Sequence, residues 1–547
     1  MKILAYFSCG LLLCLPGAAQ NHPQHMRDRT VSLVAGLGDL HHPVTTHIPD
    51  AQKFFDQGLR FIYAFNHDEA ARSFQHAADL DPTLAMADWG VAEAIGPNYN
   101  DPADPDRYKR AHEAVQKAVE LSSTATPAEQ AYIQAMAKRF PADPNSDLKK
   151  AAEEYHDAMR EVVRQFPDDL DAATLFAEAG MNLHPWGLWH QDGTPEAGTE
   201  EIVATLESVI KRDPNHMGAI HYYIHAVEAS SNPERALAGA NKLASLAPNA
   251  GHIVHMPAHI YIRTGDYEAA VKTNEAAAAV DRTYVKETGP HGIYPLMYYT
   301  HNLHFIAICG AMNGNYSEAK KNADLLADFV KPGLREMPVE NYLTIPISVD
   351  VRFHKWDAIL AAKQPDPDLK IATMFWHFGR GMAMAGKKRV AEAEIEYKVL
   401  VDTESGTPDD AIFVPPFNNK TKDIVRIAEN VLAAKIALAK RDTAGAISRL
   451  RDAVSIQDRL NYGEPPDWFY PVRENLGGAL LMAGDPVGAE KVFREDLDRN
   501  PRNPRSLFGL EQALLQQKRD YDAGFVRKQL DANWKGSPQS LKLDDLV

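Results

Sequence analysis

Cysteine, basic charge and long apolar segments are all scarce in this chain of 547 residues. It has three cysteines, two of them close to the N-terminus at Cys9 and Cys14, so little disulfide cross-linking is available. The formal net charge is −16, from 58 basic and 74 acidic residues. A groove for DNA or RNA needs a basic excess, so nucleic acid is not an expected partner. No run after the N-terminus approaches the roughly 18 apolar residues of a membrane-spanning helix, and no membrane span is predicted.

Several motifs of common enzymes are missing as well. The sequence has no Gly-x-Ser-x-Gly elbow, no phosphate-binding loop, no dinucleotide fingerprint and no His-Glu-x-x-His. These absences argue against the common serine hydrolases, nucleotide-dependent enzymes and zinc peptidases. Neither a nucleotide nor a flavin is therefore expected as a cofactor.

The first 19 residues have the pattern of a secretory signal peptide. Lys2 gives a positive start, Ile3 to Leu15 form a short apolar run, and the small residues up to Ala19 offer a cleavage point before Gln20. Cleavage after Ala19 would remove two cysteines and leave Cys309, so the mature chain can form no internal disulfide. The sequence thus predicts a periplasmic or secreted protein.

The rest of the chain is predicted to be helical and repetitive. Alanine-rich stretches with apolar residues three and four apart are typical of helices, and alternating β-branched runs are nearly absent. A set of small, aromatic and proline residues marks the first repeat: Gly58, Ala70, Phe74, Ala77 and Pro82. Three of the same offsets (12, 16 and 24 residues) return near the C-terminus at Gly477, Ala489, Phe493 and Pro501.

This register resembles the tetratricopeptide repeat, a 34-residue pair of antiparallel helices. The resemblance covers most of the mature chain and implies an all-α fold: a right-handed superhelical solenoid of helix pairs with a few inserted loops. Together with the signal-peptide pattern, the resemblance divides the chain into residues 1–19 (signal), 20–50 (extended lead-in), 51–400 (solenoid, with a site within 170–320), 401–420 (loop), 421–535 (C-terminal repeats) and 536–547 (tail). A further loop at residues 184–200 interrupts a helix pair and is a candidate lid.

Histidine, with 22 copies, is the over-represented residue, and seven histidines keep the register of the repeat. His221 and His225 are spaced i, i+4, and His255 and His259 repeat that spacing 34 residues later. Residues with this spacing project from one face of a helix. The remaining three occupy equivalent offsets: His252, His301 and His304. In tetratricopeptide proteins these offsets line the concave groove, so the resemblance implies a histidine-lined groove there.

Imidazole with some carboxylate and no thiolate suits copper, iron or zinc, and seven histidines exceed the need of one ion. One or two bound transition-metal ions are therefore expected. Glu228 lies on the same face as His225, as a ligand, as an orienting group or as an acid–base group, and Glu178 is a weaker candidate of the same kind. Further candidates for contact with a substrate or partner are Asn98, Trp186, Trp189, Tyr222 and Arg263.

Three functions remain open from the sequence. In the first, the metal-binding groove acts on a peptide or small molecule. In the second, the chain is a scaffold without catalysis that holds a peptide or partner protein. In the third, it is a periplasmic metal carrier. The sequence leaves open whether the protein is an enzyme.

Overall fold

The helices of the chain follow one another with short connections. The computed structural model describes residues 29–143, 146–415, 417–536 and 541–547, and the predicted signal peptide lies outside these ranges. Helices in the first half are α1 (Pro49–Tyr63), α2 (His67–Leu80), α3 (Ala85–Ile95), α4 (Pro105–Leu121), α5 (Pro127–Arg139), α6 (Leu148–Gln165), α7 (Leu170–Met181), α8 (Thr199–Arg212), α9 (Met217–Glu228), α10 (Leu237–Leu246), α11 (Gly251–His255), α12 (Pro257–Thr264) and α13 (Tyr267–Thr288). Those in the second half are α14 (Thr300–Met312), α15 (Tyr316–Val330), α16 (Ile345–Arg352), α17 (Trp356–Ala361), α18 (Lys370–Gly386), α19 (Val390–Ser405), α20 (Thr421–Ala439), α21 (Thr443–Gln457), α22 (Val472–Met482), α23 (Pro486–Arg499), α24 (Pro504–Gln516) and α25 (Asp520–Asn533).

Short 3₁₀ and π turns complete the secondary structure. The 3₁₀ turns are Ser122–Thr124, Pro233–Ala236, Lys331–Arg335, Glu340–Thr344 and Leu543–Leu546, and a π-helical turn, Tyr294–Tyr299, leads into α14. Within the described ranges there is no β-strand, only isolated bridges. In the same ranges, no helix combines the length and apolarity needed to cross a bilayer.

Neighbouring helices pack against each other along the whole chain, as in α1 with α2, α14 with α15 and α20 with α21. The loop between α1 and α2 is only three residues long, and Asn66 caps α2 by accepting from the backbone N–H of Glu69. This arrangement confirms the predicted all-α solenoid of tetratricopeptide-like helix pairs. The predicted loops 184–200 and 401–420 lie mostly between α7 and α8 and between α19 and α20.

The glycines of the repeat make room for an aromatic ring. A Cβ atom built on Gly58 would lie 2.6 Å from the ring of Phe74, and one built on Gly90 in α3 would lie 2.4 Å from it. Phe493 occupies the same place between Gly477 and Gly509 near the C-terminus, at 2.4 and 2.1 Å. Each phenyl ring therefore lies on the middle one of three consecutive helices and packs against the two helices beside it, which explains the spacing of glycine and phenylalanine in the sequence.

We expect Gly58→Ala to lower the urea midpoint of unfolding. The added methyl group overpacks a rigid ring and costs about 1–3 kcal/mol of the free energy of unfolding. Gly524→Ala in α25 is the matched control, because nothing lies within 4 Å of its added Cβ and alanine favours a helix by up to about 1 kcal/mol. Equal midpoints for the two variants would contradict this account of the repeat.

The segment before α1 is extended and tied to several helices. His41 Nδ1 lies 2.8 Å from Asp56 of α1, His42 Nδ1 lies 2.8 Å from Asp171 of α7, and the backbone N–H of Thr45 donates to Glu129 of α5 at 2.6 Å. These hydrogen bonds hold the segment before α1 against the N-terminal repeats.

The C-terminal repeats return to the middle of the solenoid. Tyr267 donates to the backbone carbonyl of Pro501 at 3.2 Å, Gln191 donates to that of Leu460 at 3.1 Å, and Tyr462 donates to Glu228 at 3.2 Å. Because the segment after α21 contacts α9, the solenoid encloses an interior space. The histidine cluster lies beside that space.

Candidate metal centre

Six of the predicted histidines form two adjacent groups of three. The first triad is His221, His225 and His252, and the second triad is His255, His259 and His301. Within each triad one nitrogen from every ring lies within 4.8 Å of the others.

Four helices supply these rings. α9 carries His221 and His225, whereas His252 and His255 lie on α11, and α12 and α14 supply the remaining two. Pro257 starts α12 and breaks the helical run directly after α11, since proline has no N–H to donate. His221 and His255 are fully buried.

In the first triad, the Nδ1 atoms of two histidines form hydrogen bonds to fixed acceptors. His221 Nδ1 lies 2.7 Å from the backbone carbonyl of Tyr63, and His225 Nδ1 lies 2.7 Å from Glu228 Oε1. Carbonyl and carboxylate oxygens only accept, so each Nδ1 carries the proton and each Nε2 presents a lone pair. His221 Nε2 faces His252 Nε2 at 3.1 Å, and the buried Nε2 of His225 has no hydrogen-bond partner among the described residues.

The second triad is held in the same way. His255 Nδ1 lies 2.6 Å from Asn274 Oδ1, whose orientation is fixed because Asn274 Nδ2 donates to the carbonyl of Ala270 at 2.8 Å. His259 Nδ1 lies 2.6 Å from Glu228 Oε2. With both Nδ1 atoms donating, the Nε2 atoms of His255 and His259 face each other at only 2.7 Å. Two lone pairs are stable at that distance only with a proton or a metal ion between them.

The electrostatics keep most of these rings neutral. Burial, together with the neighbouring imidazoles, lowers the pKa of His221, His252, His255 and His301 well below the usual value. Burial alone would raise the pKa of Glu228, but His259 and His225 hold it well below its usual range. A neutral imidazole is the form that binds metal.

Aromatic rings fix the histidines from the sides. Phe65 stacks on His225 and His252 at centroid distances of 5.7 and 5.3 Å, with interplanar angles of 16° and 18°. Phe305 packs against His255 at 4.9 Å and His259 at 5.2 Å. The rings therefore have little room to rotate, which preorganises both triads.

Glu228 connects the two triads. Its Oε1 accepts from His225 of the first triad and its Oε2 from His259 of the second, and Tyr462 also donates to Oε2. Tyr462 bonds to Glu464 as well. Burial and the charge of Glu228 raise the pKa of Glu464 to about 7. Glu228 and the two histidines beside it also satisfy the spacing of a metal-binding group.

A cavity of about 840 Å³, here called the chamber, opens beside the triads. His225, His252, His259 and His301 contribute to its wall. His304 also lines the chamber but belongs to neither triad. A second cavity of about 1220 Å³, here called the outer groove, lies on the other side of the 417–418 and 464–469 segments.

The predicted contact residues are distributed over both cavities. Trp186 lines both cavities and Asn98 lines the chamber, whereas Trp189 and Arg263 line the outer groove. Tyr222 and Glu178 are buried and line neither cavity.

The inserted loop and Arg263 are anchored close to the triads. Trp186 donates to Asn100 at 3.1 Å, and Trp189 donates to the carbonyl of Ala226 in α9 at 2.7 Å. Arg263 donates to the backbone carbonyl of Glu228 at 2.9 Å and thereby caps the end of α9. The two tryptophan bonds hold the 184–200 loop against the site.

The sequence gives no signal for several partners of the triads. Tyr63, Phe65, Tyr462 and Glu464 lie in other repeats, Asn274 lies on α13 directly after α12, and none of the five carries a motif. Only the structure brings them to the histidines, since Tyr63 and His221 are 158 positions apart and Tyr462 and Glu228 are 234 apart.

A third group with metal-like spacing lies under the lead-in, formed by His42, Asp169 and Asp171. Asp171 already bonds to His42 at 2.8 Å and accepts from Tyr63 at 2.7 Å, and Asp169 accepts from Tyr132 at 3.1 Å. These side chains satisfy one another's hydrogen-bonding groups and hold the segment before α1 in place.

Comparisons with known proteins extend only to the fold. No family model matches the chain, and no curated protein matches it. Similar solved structures include the human IFIT1 dimer with m7Gppp-AAAA (12% identity, TM-score 0.31, 89% of this chain and 91% of that one). They also include yeast Tom70 (10%, 0.27, 88% and 92%) and the TPR domain of P58(IPK) (12%, 0.23, 86% and 98%). Likeness this distant says nothing about function, so the site rests on its own geometry.

Proposed function

We propose that this protein binds two transition-metal ions, one in each histidine triad, and that they act on a small organic molecule in the chamber. The observation that carries the proposal is the set of Nε2 atoms of His221, His225, His255 and His259, which face the interior of the two triads. Each is forced inward because the opposite nitrogen of its ring donates to a fixed acceptor. Metal-binding histidines are oriented in this way by their outer partners.

Three protein ligands suit an ion that keeps a position open. Structural zinc sites use four protein ligands, whereas catalytic sites use three and leave one position for water or substrate. His225, His252, His259 and His301 all border the chamber, so the open positions would face it. The imidazole set without thiolate fits copper, iron or zinc. A bound ion of this kind supplies Lewis acidity and lowers the pKa of a coordinated water.

Within this proposal Glu228 is a positioning residue. Both of its oxygens accept from imidazole N–H groups, so it holds one ring of each triad in place. A carboxylate in such bonds raises the basicity of the ligands it touches.

The burial of the cluster disfavours a scaffold role for these histidines. His221 and His255 are fully buried and do not line the chamber, so a peptide there cannot contact them, whereas an ion can. The chamber beside the triads favours a metal-dependent enzyme over a carrier, because a carrier needs no space for an organic molecule. Export of the chain belongs to the same proposal and is supported by the signal-like pattern that ends at Ala19.

A zinc titration of the metal-free chain by calorimetry tests the stoichiometry. We expect saturation at two equivalents, released again by a strong chelator. Failure to bind zinc, copper(II) or iron(II) above the level of a surface-histidine control protein would refute the proposal.

A further inference from the structure

The chamber has mainly apolar and aromatic walls. Its volume of about 840 Å³ lies in the range of small-molecule sites, roughly 300–1,000 Å³. Aromatic side chains from six separate parts of the chain line it: Tyr99, Trp186, Tyr298, Phe375, Phe413 and Phe469. Such walls favour a molecule that is largely hydrophobic and flat.

Five side chains of this wall carry a buried polar atom without a hydrogen-bond partner within the part of the chain that the structure describes: Tyr155 Oη, Asn182 Oδ1, His225 Nε2, His304 Nε2 and Glu464 Oε2. His304 and Glu464 are the imidazole and the carboxyl group among them that lie outside the triads. Both side chains belong to residues more than nine-tenths buried, with 8% and 2% exposed. Burying a polar atom without a partner costs about 1–3 kcal/mol, so native proteins rarely keep such atoms without a use.

The charged groups of the wall disfavour an anionic occupant. Glu464 and Asp467 are acidic, and Asp467 is fixed by a bond from Asn419 at 2.8 Å. The guanidinium of Arg139 is already used by Glu93 at 2.8 Å and by the carbonyl of Pro97 at 2.6 Å. Lys149 lines the chamber with its side chain four-fifths exposed.

We infer that the chamber binds an uncharged aromatic molecule with a hydroxyl group, a phenol, and that His304 and Glu464 are the hydrogen-bonding points that recognise it. The hydroxyl donates its one hydrogen to one of these atoms and accepts from the other when that atom carries a proton, since a hydroxyl is both donor and acceptor. Burial lowers the pKa of His304 to about 3, so this imidazole is neutral and accepts a hydrogen bond from the hydroxyl group. The inference rests on the proposed function, since it names the substrate class for the chamber beside the triads.

The test compares three probes that share one ring system: 2-naphthol, 2-methoxynaphthalene and 2-naphthoate. Calorimetric titration of the full mature chain gives each affinity, with the metal content of the same preparation measured in parallel. We expect 2-naphthol to bind at least about tenfold more tightly than the methyl ether, because the ether cannot donate to the buried acceptors. We expect the metal-free chain to bind the carboxylate more weakly than 2-naphthol, because bound ions would themselves attract a carboxylate.

Two variants assign the preference to the proposed atoms. His304→Phe and Glu464→Leu each remove one polar point, and each should reduce the preference for 2-naphthol while leaving the affinity for the ether within about twofold. His76→Phe is the matched control, because His76 lies on α2, packs against Phe54 of α1 and does not line the chamber. Having two variants keeps the test valid if one of them fails to fold.

Equal binding of the phenol and its ether, or tighter binding of the carboxylate by the metal-free chain, would overturn the inference. A preference for 2-naphthol that persists in both variants would overturn the assignment to His304 and Glu464. The two proposals fail separately: phenol selectivity in a chain that takes up no metal contradicts only the metal centre. Two bound ions without phenol selectivity contradict only this inference.

Discussion

We expect His255→Ala to weaken the binding of one of the two proposed metal ions, and His221→Ala to weaken the binding of the other. Each ring supplies an inward Nε2 to a different triad, and a missing ligand leaves only two histidines. Zinc sites with four ligands are stabilised by about 10–16 kcal/mol, so one ligand contributes about 3 kcal/mol and its loss weakens binding by on the order of a hundredfold. Stoichiometry and affinity from zinc titrations measure the effect.

The double variant His221→Ala/His255→Ala should bind neither ion. His76→Ala is the control, because this ring lies on α2 and belongs to neither triad. Loss of both ions in either single variant would show one shared site instead of two. Full binding in the double variant would place the metal elsewhere.

The second large effect is expected from Glu228→Gln, which should weaken both sites at once. The amide keeps one acceptor oxygen and loses the negative charge, so one of His225 and His259 loses the partner that orients it and the other loses the charge that raises its basicity. Removing such an outer partner typically reduces metal affinity about 10–100-fold. Two-site titrations of the variant should therefore show both dissociation constants raised.

Glu207→Gln is the matched control for that substitution. Glu207 also accepts a hydrogen bond, from Tyr223 at 2.6 Å, but it lies on α8 with its side chain 43% exposed. A Glu228→Gln variant that loses affinity at one triad only, or at neither, would contradict the role of Glu228 as the link between the triads.

The repeat architecture could be predicted because its determinants are local and recur. The spacing of Gly58 and Phe74 reflects a ring that packs against helices close in the chain, and the same contact returns at Gly477 and Phe493. The clustering of histidines followed from the same register, since equal offsets on neighbouring helices face the same side.

The division of the cluster into two triads could not be predicted. It depends on the directions of the rings, because His252 and His255 lie on the same helix, α11, yet His252 joins the pair on α9 and His255 joins His259. The exclusion of His304 from both triads depends on the direction of one side chain, which periodicity does not encode. The acceptors that fix the rings, such as the Tyr63 carbonyl and Asn274, come from other helices and leave no motif in the sequence.

The central claim, that the two triads hold metal, is tested most directly by elemental mass spectrometry of the mature chain. The protein should be produced without a histidine tag, exported to the periplasm and purified without chelators. The account predicts up to two equivalents of copper, iron or zinc per chain, and none in the His221→Ala/His255→Ala variant purified in parallel. A folded wild-type chain that carries no metal and takes up none of these ions when they are added would contradict it.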